Sequence, residues 1–168
     1  MPFRILIADD HRAVRTVLRA LIESHKDWQV CGEAVNGFEA VAKAGELKPD
    51  LVILDLAMPI MDGVRAAREI SNSAPTLPIL MHTMYDGSST LVLEAKKAGV
   101  ARVVSKGEKG ENLLIAIEDL LNVSQSGTVP DTNIGILDKA AESPPSTTEK
   151  LNDLSISSPD SKDGLKPN

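Results

Sequence analysis

The sequence predicts an α/β domain in which five strands alternate with five helices. Each strand-helix-strand crossover returns the chain in the same direction, so the sheet is parallel with helices on both faces. Two observations carry this reading. Short continuous apolar runs, FRILIA at residues 3–8 and LVIL at 51–54, have the length expected of strands buried on both faces. Between such runs, apolar residues recur at helical spacing with charges opposite them.

The first strand, 3–8, ends in two carboxylates, Asp9 and Asp10. From His11 the period changes: Val14, Val17, Leu18, Leu21 and Ile22 form an apolar helical face, with Arg12, Arg15, Arg19 and Glu23 opposite it. Residues 28–34, WQVCGEA, form a weaker strand followed by an Asn36-Gly37 turn. A short Ala-rich helix over 39–47 is stopped by Lys48-Pro49, because a residue before proline disfavours helix. The central strand, 51–54, then ends abruptly on Asp55. That puts Asp55 exposed in the crevice beyond the strand tips, where parallel sheets place their ligands.

Met58-Pro59 breaks the strand direction, and Asp62 is placed as N-cap of a helix over 64–70, closed by the SNSAP stretch at 71–75. Residues 78–82, PILMH, form a fourth strand ending near Thr83. The polar stretch 86–89 introduces a helix with Leu91, Ala95 and Ala98 on one face and Gly99 at its C-cap. A short last strand, 102–105, leads to Lys106. The final helix, 111–121, carries Leu113, Leu114, Ile117, Leu120 and Leu121 on its apolar face.

At 168 residues the chain is the size of one ordinary domain plus extra. With 18 Lys and Arg against 24 Asp and Glu it is acidic, which argues against a broad nucleic-acid footprint. The single cysteine, Cys31, has no internal disulfide partner and reads as a buried thiol. No apolar run has the length of a signal peptide core or a membrane span, so no membrane role and a cytoplasmic location are expected. Beyond about Val123, Ser, Thr, Pro, Asp and Lys dominate and aromatic residues are absent. Ordering such a chain costs roughly 1 to 2 kcal/mol per residue with little apolar burial to offset it. The expected organisation is a folded domain over 1–122 and a disordered tail over 123–168.

Because all strands of a parallel sheet open on the same edge, Asp9, Asp10, Asp55, Thr83 and Lys106 converge there. Three crowded carboxylates suit a hard divalent cation such as Mg²⁺, and the lysine supplies positive charge for an anion. A metal, an anion clamp and a nucleophilic carboxylate together point to phosphoryl transfer onto Asp55. His11 reads as an exposed residue at a helix start and His82 as a strand residue packed beneath the site; neither joins the expected set.

The ordered set Asp9-Asp10, Asp55 with Met58-Pro59 and Asp62-Gly63, Thr83, Ala98-Gly99 and Lys106 resembles the receiver domain of bacterial two-component response regulators. The wording LIADDHRAVR, VCGEAVNGFEA and LDLAMPIMDG is most like the NarL/FixJ subfamily. The resemblance implies a flavodoxin-like (CheY-like) sheet of order 2-1-3-4-5 and a phosphoacceptor, Asp55, served by a sensor histidine kinase. It implies that Asp10, Asp55 and the backbone carbonyl of Ala57 ligate Mg²⁺ directly and Asp9 through water. Lys106 would then pair with a phosphoryl oxygen while Thr83 closes onto another.

The chain departs from the family at three points. Val103 stands where many receivers have an aromatic residue, Gly107 where many have proline, and the tail is too short and polar for a helix-turn-helix domain. Direct DNA binding is therefore not expected, and output would run through an unidentified downstream protein or a phosphorylation-dependent homodimer. Ala57 and Tyr85, which would flank the phosphoryl group, suggest slow self-dephosphorylation. The expected role is a signalling receiver rather than an enzyme. Two other readings stay open: a pseudo-receiver that binds without phosphorylation, and a Mg²⁺-dependent phosphohydrolase with an aspartyl-phosphate intermediate, against which Ala57 speaks because such hydrolases often carry a second Asp there.

Overall fold

Five strands, β1 (Phe3–Ala8), β2 (Trp28–Ala34), β3 (Leu51–Leu54), β4 (Ile79–Thr83) and β5 (Arg102–Ser105), pair in parallel in the order β2-β1-β3-β4-β5. Between and after them run α1 (Arg12–Glu23), α2 (Gly37–Leu47), α3 (Gly63–Ser73), α4 (Ser89–Lys97) and α5 (Gly110–Ser126). This is the flavodoxin-like arrangement expected from the sequence. The computed structural model describes residues 1–84 and 89–126. Tyr85 and the tail from residue 127 onward, including its expected disorder, lie outside these described residues. No described helix is long and apolar enough to cross a membrane.

Side chains of the inner strands alternate between two cores. Leu6, Ala8, Val52, Leu54, Ile79 and Met81 face one core, completed by Ala40 and Ala44 of α2, Ala66, Ala67 and Ile70 of α3, and Ala95 of α4. Ile5, Ile7, Leu51, Ile53 and Leu80 face the other, closed by Leu18 and Ile22 of α1 and Leu113, Ile117 and Leu121 of α5. The inner strands are apolar throughout because both faces are covered.

Helix ends differ from the sequence expectation by a few residues, each for a local reason. Asn36, expected in a turn, caps α2: its side chain accepts the Glu39 N–H at 2.8 Å, so the helix starts at Gly37. α3 runs past Ile70 to Ser73, whose hydroxyl donates to the carbonyls of Glu69 and Ile70, and stops before Pro75. α5 continues past Leu121 because no glycine or proline interrupts it before Gly127. Asp62 caps α3 as expected, accepting the Arg65 N–H at 2.8 Å, and Gly99 takes the left-handed conformation, φ 91°, after α4.

The α1 face also needs correction. Val17, expected inside, is 65% exposed, and Arg15, expected outside, has a side chain only 11% exposed. Arg15 turns inward because Glu33 of β2 meets its guanidinium at 2.9 Å. Glu33 can do so because the β1–β2 register shifts at Cys31: Ile5 pairs with Val30 but Leu6 with Gly32. One extra residue reverses which side chains face which helix layer.

Gly63 sets how closely the β3–α3 loop returns to the strand tip. A Cβ there would collide with the backbone carbonyl of Asp55 and lie 2.9 Å from its carbonyl carbon. Gly63→Ala is therefore expected to destabilise the fold by roughly 1–3 kcal/mol through forced backbone displacement. Urea denaturation reads this directly, and an unchanged midpoint would contradict it.

Candidate functional site

The hydrogen-bond ladder of the sheet runs one residue beyond the strands and fixes the site. Asp9 N–H donates to the Ala34 carbonyl at 3.1 Å, Asp55 N–H to the Ala8 carbonyl at 2.8 Å, and Lys106 N–H to the Thr83 carbonyl at 2.8 Å. Strand registers bring the tips level: Leu54 pairs with Ala8 and with Met81, and Thr83 with Ser105. Residues 97 positions apart in sequence, Asp9 and Lys106, thus meet on one edge.

There Lys106 Nζ lies 2.6 Å from Asp9 Oδ2 and 3.0 Å from Asp55 Oδ1. Asp9 is 1% exposed and Asp55 4%. The expectation of an exposed Asp55 is corrected: the carboxylate is buried, under the lysine and against a loop folded back so that Gly63 N–H reaches the Leu56 carbonyl at 2.9 Å. Thr83 is buried as well and sits beside Lys106 through its backbone. Ala57 lies exposed in the β3–α3 loop, and among the described residues no backbone N–H donates to its carbonyl.

Asp10 is placed differently from its neighbour. Its side chain is 30% exposed, and its Oδ1, itself buried, lies 2.7 Å from His11 Nδ1 in an ion-pair contact that lacks hydrogen-bond geometry. Asp9 Oδ1 accepts the His11 backbone N–H at 2.9 Å, while α1 carries no side-chain cap at His11. The donor set suits a hard divalent cation. Asp9, Asp10 and Asp55 outnumber the one ammonium among them, and Asp10 Oδ1 is a buried oxygen without a hydrogen bond.

Two supporting residues escaped the sequence reading. Arg15 Nη1 donates to the carbonyl of Asp9 at 2.8 Å and reaches that of Asp10 at 3.3 Å, so it braces the acid pair from behind. Its own orientation is held by Glu33, which also binds Arg19 at 2.8 Å. Burial works to raise the Glu33 carboxyl pKa, but hydrogen bonds from Arg19 and Arg15 outweigh it and hold the group below the ordinary value. The sequence signal for this is slight: an arginine one turn from the acids and a glutamate behind a glycine.

Lys106 is shifted by opposing causes. Burial pulls its pKa down, yet hydrogen bonds to Asp9 and Asp55 and their charges prevail and raise it above 10.5. His82 goes the other way: burial first, then the charge of Lys106, lower its pKa below 6.5 and favour the neutral ring. It lines a groove of about 290 Å³ with Ala13, Val14, Val17, Leu18 and Lys106.

The family described as response regulator receiver domain matches residues 5–118. The response regulator protein VraR of Staphylococcus aureus is 37% identical over 117 residues, 70% of this chain and 56% of VraR. The chain therefore spans about half the length of that curated relative. The response regulator domain of Thermotoga maritima CheB superposes with a TM-score of 0.68 at 32% identity, over 73% of this chain and 98% of that one. A chain of the CheX-CheY-BeF3-Mg²⁺ complex from Borrelia burgdorferi superposes with a TM-score of 0.67 at 25% identity, over 71% of this chain and 90% of that one.

Replacing Lys106 by methionine strands two buried carboxylates, which is expected to cost roughly 3 kcal/mol at about pH 7. The raised pKa fixes the sign of the pH dependence. The stabilisation is complete below pH 10.5 and is lost as pH rises through the higher folded-state value. Wild type and Lys106→Met should therefore differ fully near neutrality and converge in strong alkali; a gap that does not narrow as pH rises through the folded-state value would contradict the ion-pair assignment.

Proposed function

Because the chain belongs to the response regulator receiver domain family, we propose that it acts as the phosphoacceptor receiver of a two-component phosphorelay, with Asp55 as the acceptor. The observation that carries this reading is the position of Lys106 Nζ, held between Asp9 and Asp55 at 2.6 and 3.0 Å. A buried carboxylate beside a fixed ammonium is a nucleophile with a charge partner for an incoming anion already in place.

In the proposed step, an oxygen of Asp55 attacks the phosphorus of a sensor kinase's phosphohistidine. The O–P bond forms as the P–N bond breaks, and the imidazole leaves. Asp10, Asp55 and the backbone carbonyl of Ala57 would hold the divalent cation directly and Asp9 through water, the ligand set carried over from the family. Mg²⁺, when bound, neutralises charge on the transferred group. The similar Borrelia burgdorferi complex contains BeF3 and Mg²⁺, which supports that assignment. Lys106 pairs with one phosphoryl oxygen. Thr83, buried beside Lys106 on the tip of β4, closes onto another and draws its loop inward.

The phosphoryl group adds negative charge and three strong acceptors, which bias the loop after β4 between two arrangements. Output then runs through protein contacts of the face formed by α4, β5 and α5, to a downstream protein or a second copy of the chain. On this reading the chain is a signalling module that carries out only its own phosphorylation and its reversal.

Intact-mass measurement after incubation with acetyl phosphate tests the proposal. The expected result is one added phosphoryl group in the wild type, dependent on Mg²⁺, and none in Asp55→Asn. An equal gain in Asp55→Asn would reject Asp55 as the acceptor, and no gain in the wild type with Mg²⁺ present would reject it and favour a receiver fold used for binding alone.

A further inference from the structure

We propose that Arg15 is a positioning residue for phosphoryl transfer: it sets the direction of the Asp10 carboxylate, and so the cation affinity of the site, without touching the ion. The inference rests on the reading in which Asp10 is a direct ligand of the divalent cation. Arg15 Nη1 donates to the Asp9 carbonyl at 2.8 Å and also to the Asp10 carbonyl at 3.3 Å. Those two carbonyls belong to the peptide planes on either side of the Asp10 Cα. Each plane is rigid, so fixing both fixes the Cα–Cβ bond between them and the direction in which the carboxylate leaves the chain.

Asp10 depends on this hold more than Asp9 does. Asp9 has anchors of its own: its N–H donates to the Ala34 carbonyl at 3.1 Å, Oδ1 accepts the His11 N–H at 2.9 Å and Oδ2 accepts from Lys106 at 2.6 Å. Asp10 Oδ1 has no hydrogen bond, and α1 starts from His11 without a side-chain cap. The guanidinium is aimed from its other side. Its Nε donates to Glu33 Oε2 at 2.9 Å, and Glu33 Oε1 is taken by Arg19 Nε at 2.8 Å. A planar fork holds the carbonyls with one nitrogen and the carboxylate with another; an ammonium in its place keeps the charge and loses that geometry. Among the described residues the Arg19 side chain donates to Glu33 and Glu23 and to neither carbonyl.

The sign of the effect separates positioning from charge. By charge alone, removing a cation beside a cation site strengthens Mg²⁺ binding, whereas lost positioning weakens it. Mg²⁺ is titrated into the full chain and its Arg15→Met, Arg15→Lys and Arg19→Met variants, followed by amide NMR shifts at residues 9–11, with urea midpoints measured in parallel. Arg15→Met should weaken Mg²⁺ about ten-fold and Arg15→Lys about three-fold or more. Arg19→Met, which also removes a positive charge, should change it less than about two-fold. Unchanged or tighter Mg²⁺ binding by folded Arg15→Met, even with a lowered urea midpoint, would overturn the proposal. Full retention of affinity in Arg15→Lys would overturn it too, and that variant decides the matter if Arg15→Met does not fold. Failure of the wild type to bind Mg²⁺ would overturn both this proposal and the Mg²⁺-dependent part of the proposed function; the other outcomes leave that function standing.

Discussion

A single ammonium shared by two buried carboxylates is the constraint on which the rest of the structure depends. Lys106, Asp9 and Asp55 come from three strands, and each is held by a backbone hydrogen bond one step beyond its strand. Ionised groups at 1% and 4% exposure are tolerable only when paired, since an isolated buried charge costs several kcal/mol. The cluster also leaves negative charge in excess, so it favours a further cation.

Precision at this edge is built from several layers behind it. Arg15 braces the carbonyls of the acid pair, Glu33 orients Arg15, and the register shift at Cys31 aims Glu33 toward α1. On the other side, Gly63 lets the β3–α3 loop lie against Asp55 without a side chain intervening. The same loop holds Ile60 at φ 68°, a left-handed conformation that is costly for a β-branched residue, with its side chain 81% exposed. The chain accepts local strain in the loop that follows Asp55, and strained backbone tends to concentrate at functional sites.

Much of this was legible in the sequence because the inner strands are buried on both faces. FRILIA and LVIL leave no other interpretation at their length, and their ends name Asp9 and Asp55 directly. Lys106 was legible through topology, since parallel strands must open on one edge. The burial of Asp55 was not: the sequence puts the lysine on the same edge but does not show that it and the β3–α3 loop close over the carboxylate. Arg15 was misplaced because periodicity sorts residues by polarity, and a buried ion pair to a distant strand overrides that sorting. The shift at Cys31 leaves only a glycine, Gly32, as its trace, so the inward turn of Glu33 could not be read in advance.

A double-mutant cycle between Lys106 and Asp9 tests the central interaction most directly. Stability would be measured by denaturation for the wild type, Lys106→Met, Asp9→Asn and the double variant, near neutral pH and without divalent cations. A shared, buried ion pair predicts a coupling energy of about 1 kcal/mol or more, with the double variant less damaged than the sum of the singles. Additive losses, with coupling near zero, would show that the lysine does not hold the carboxylates together and would remove the basis for reading this edge as a poised acceptor site.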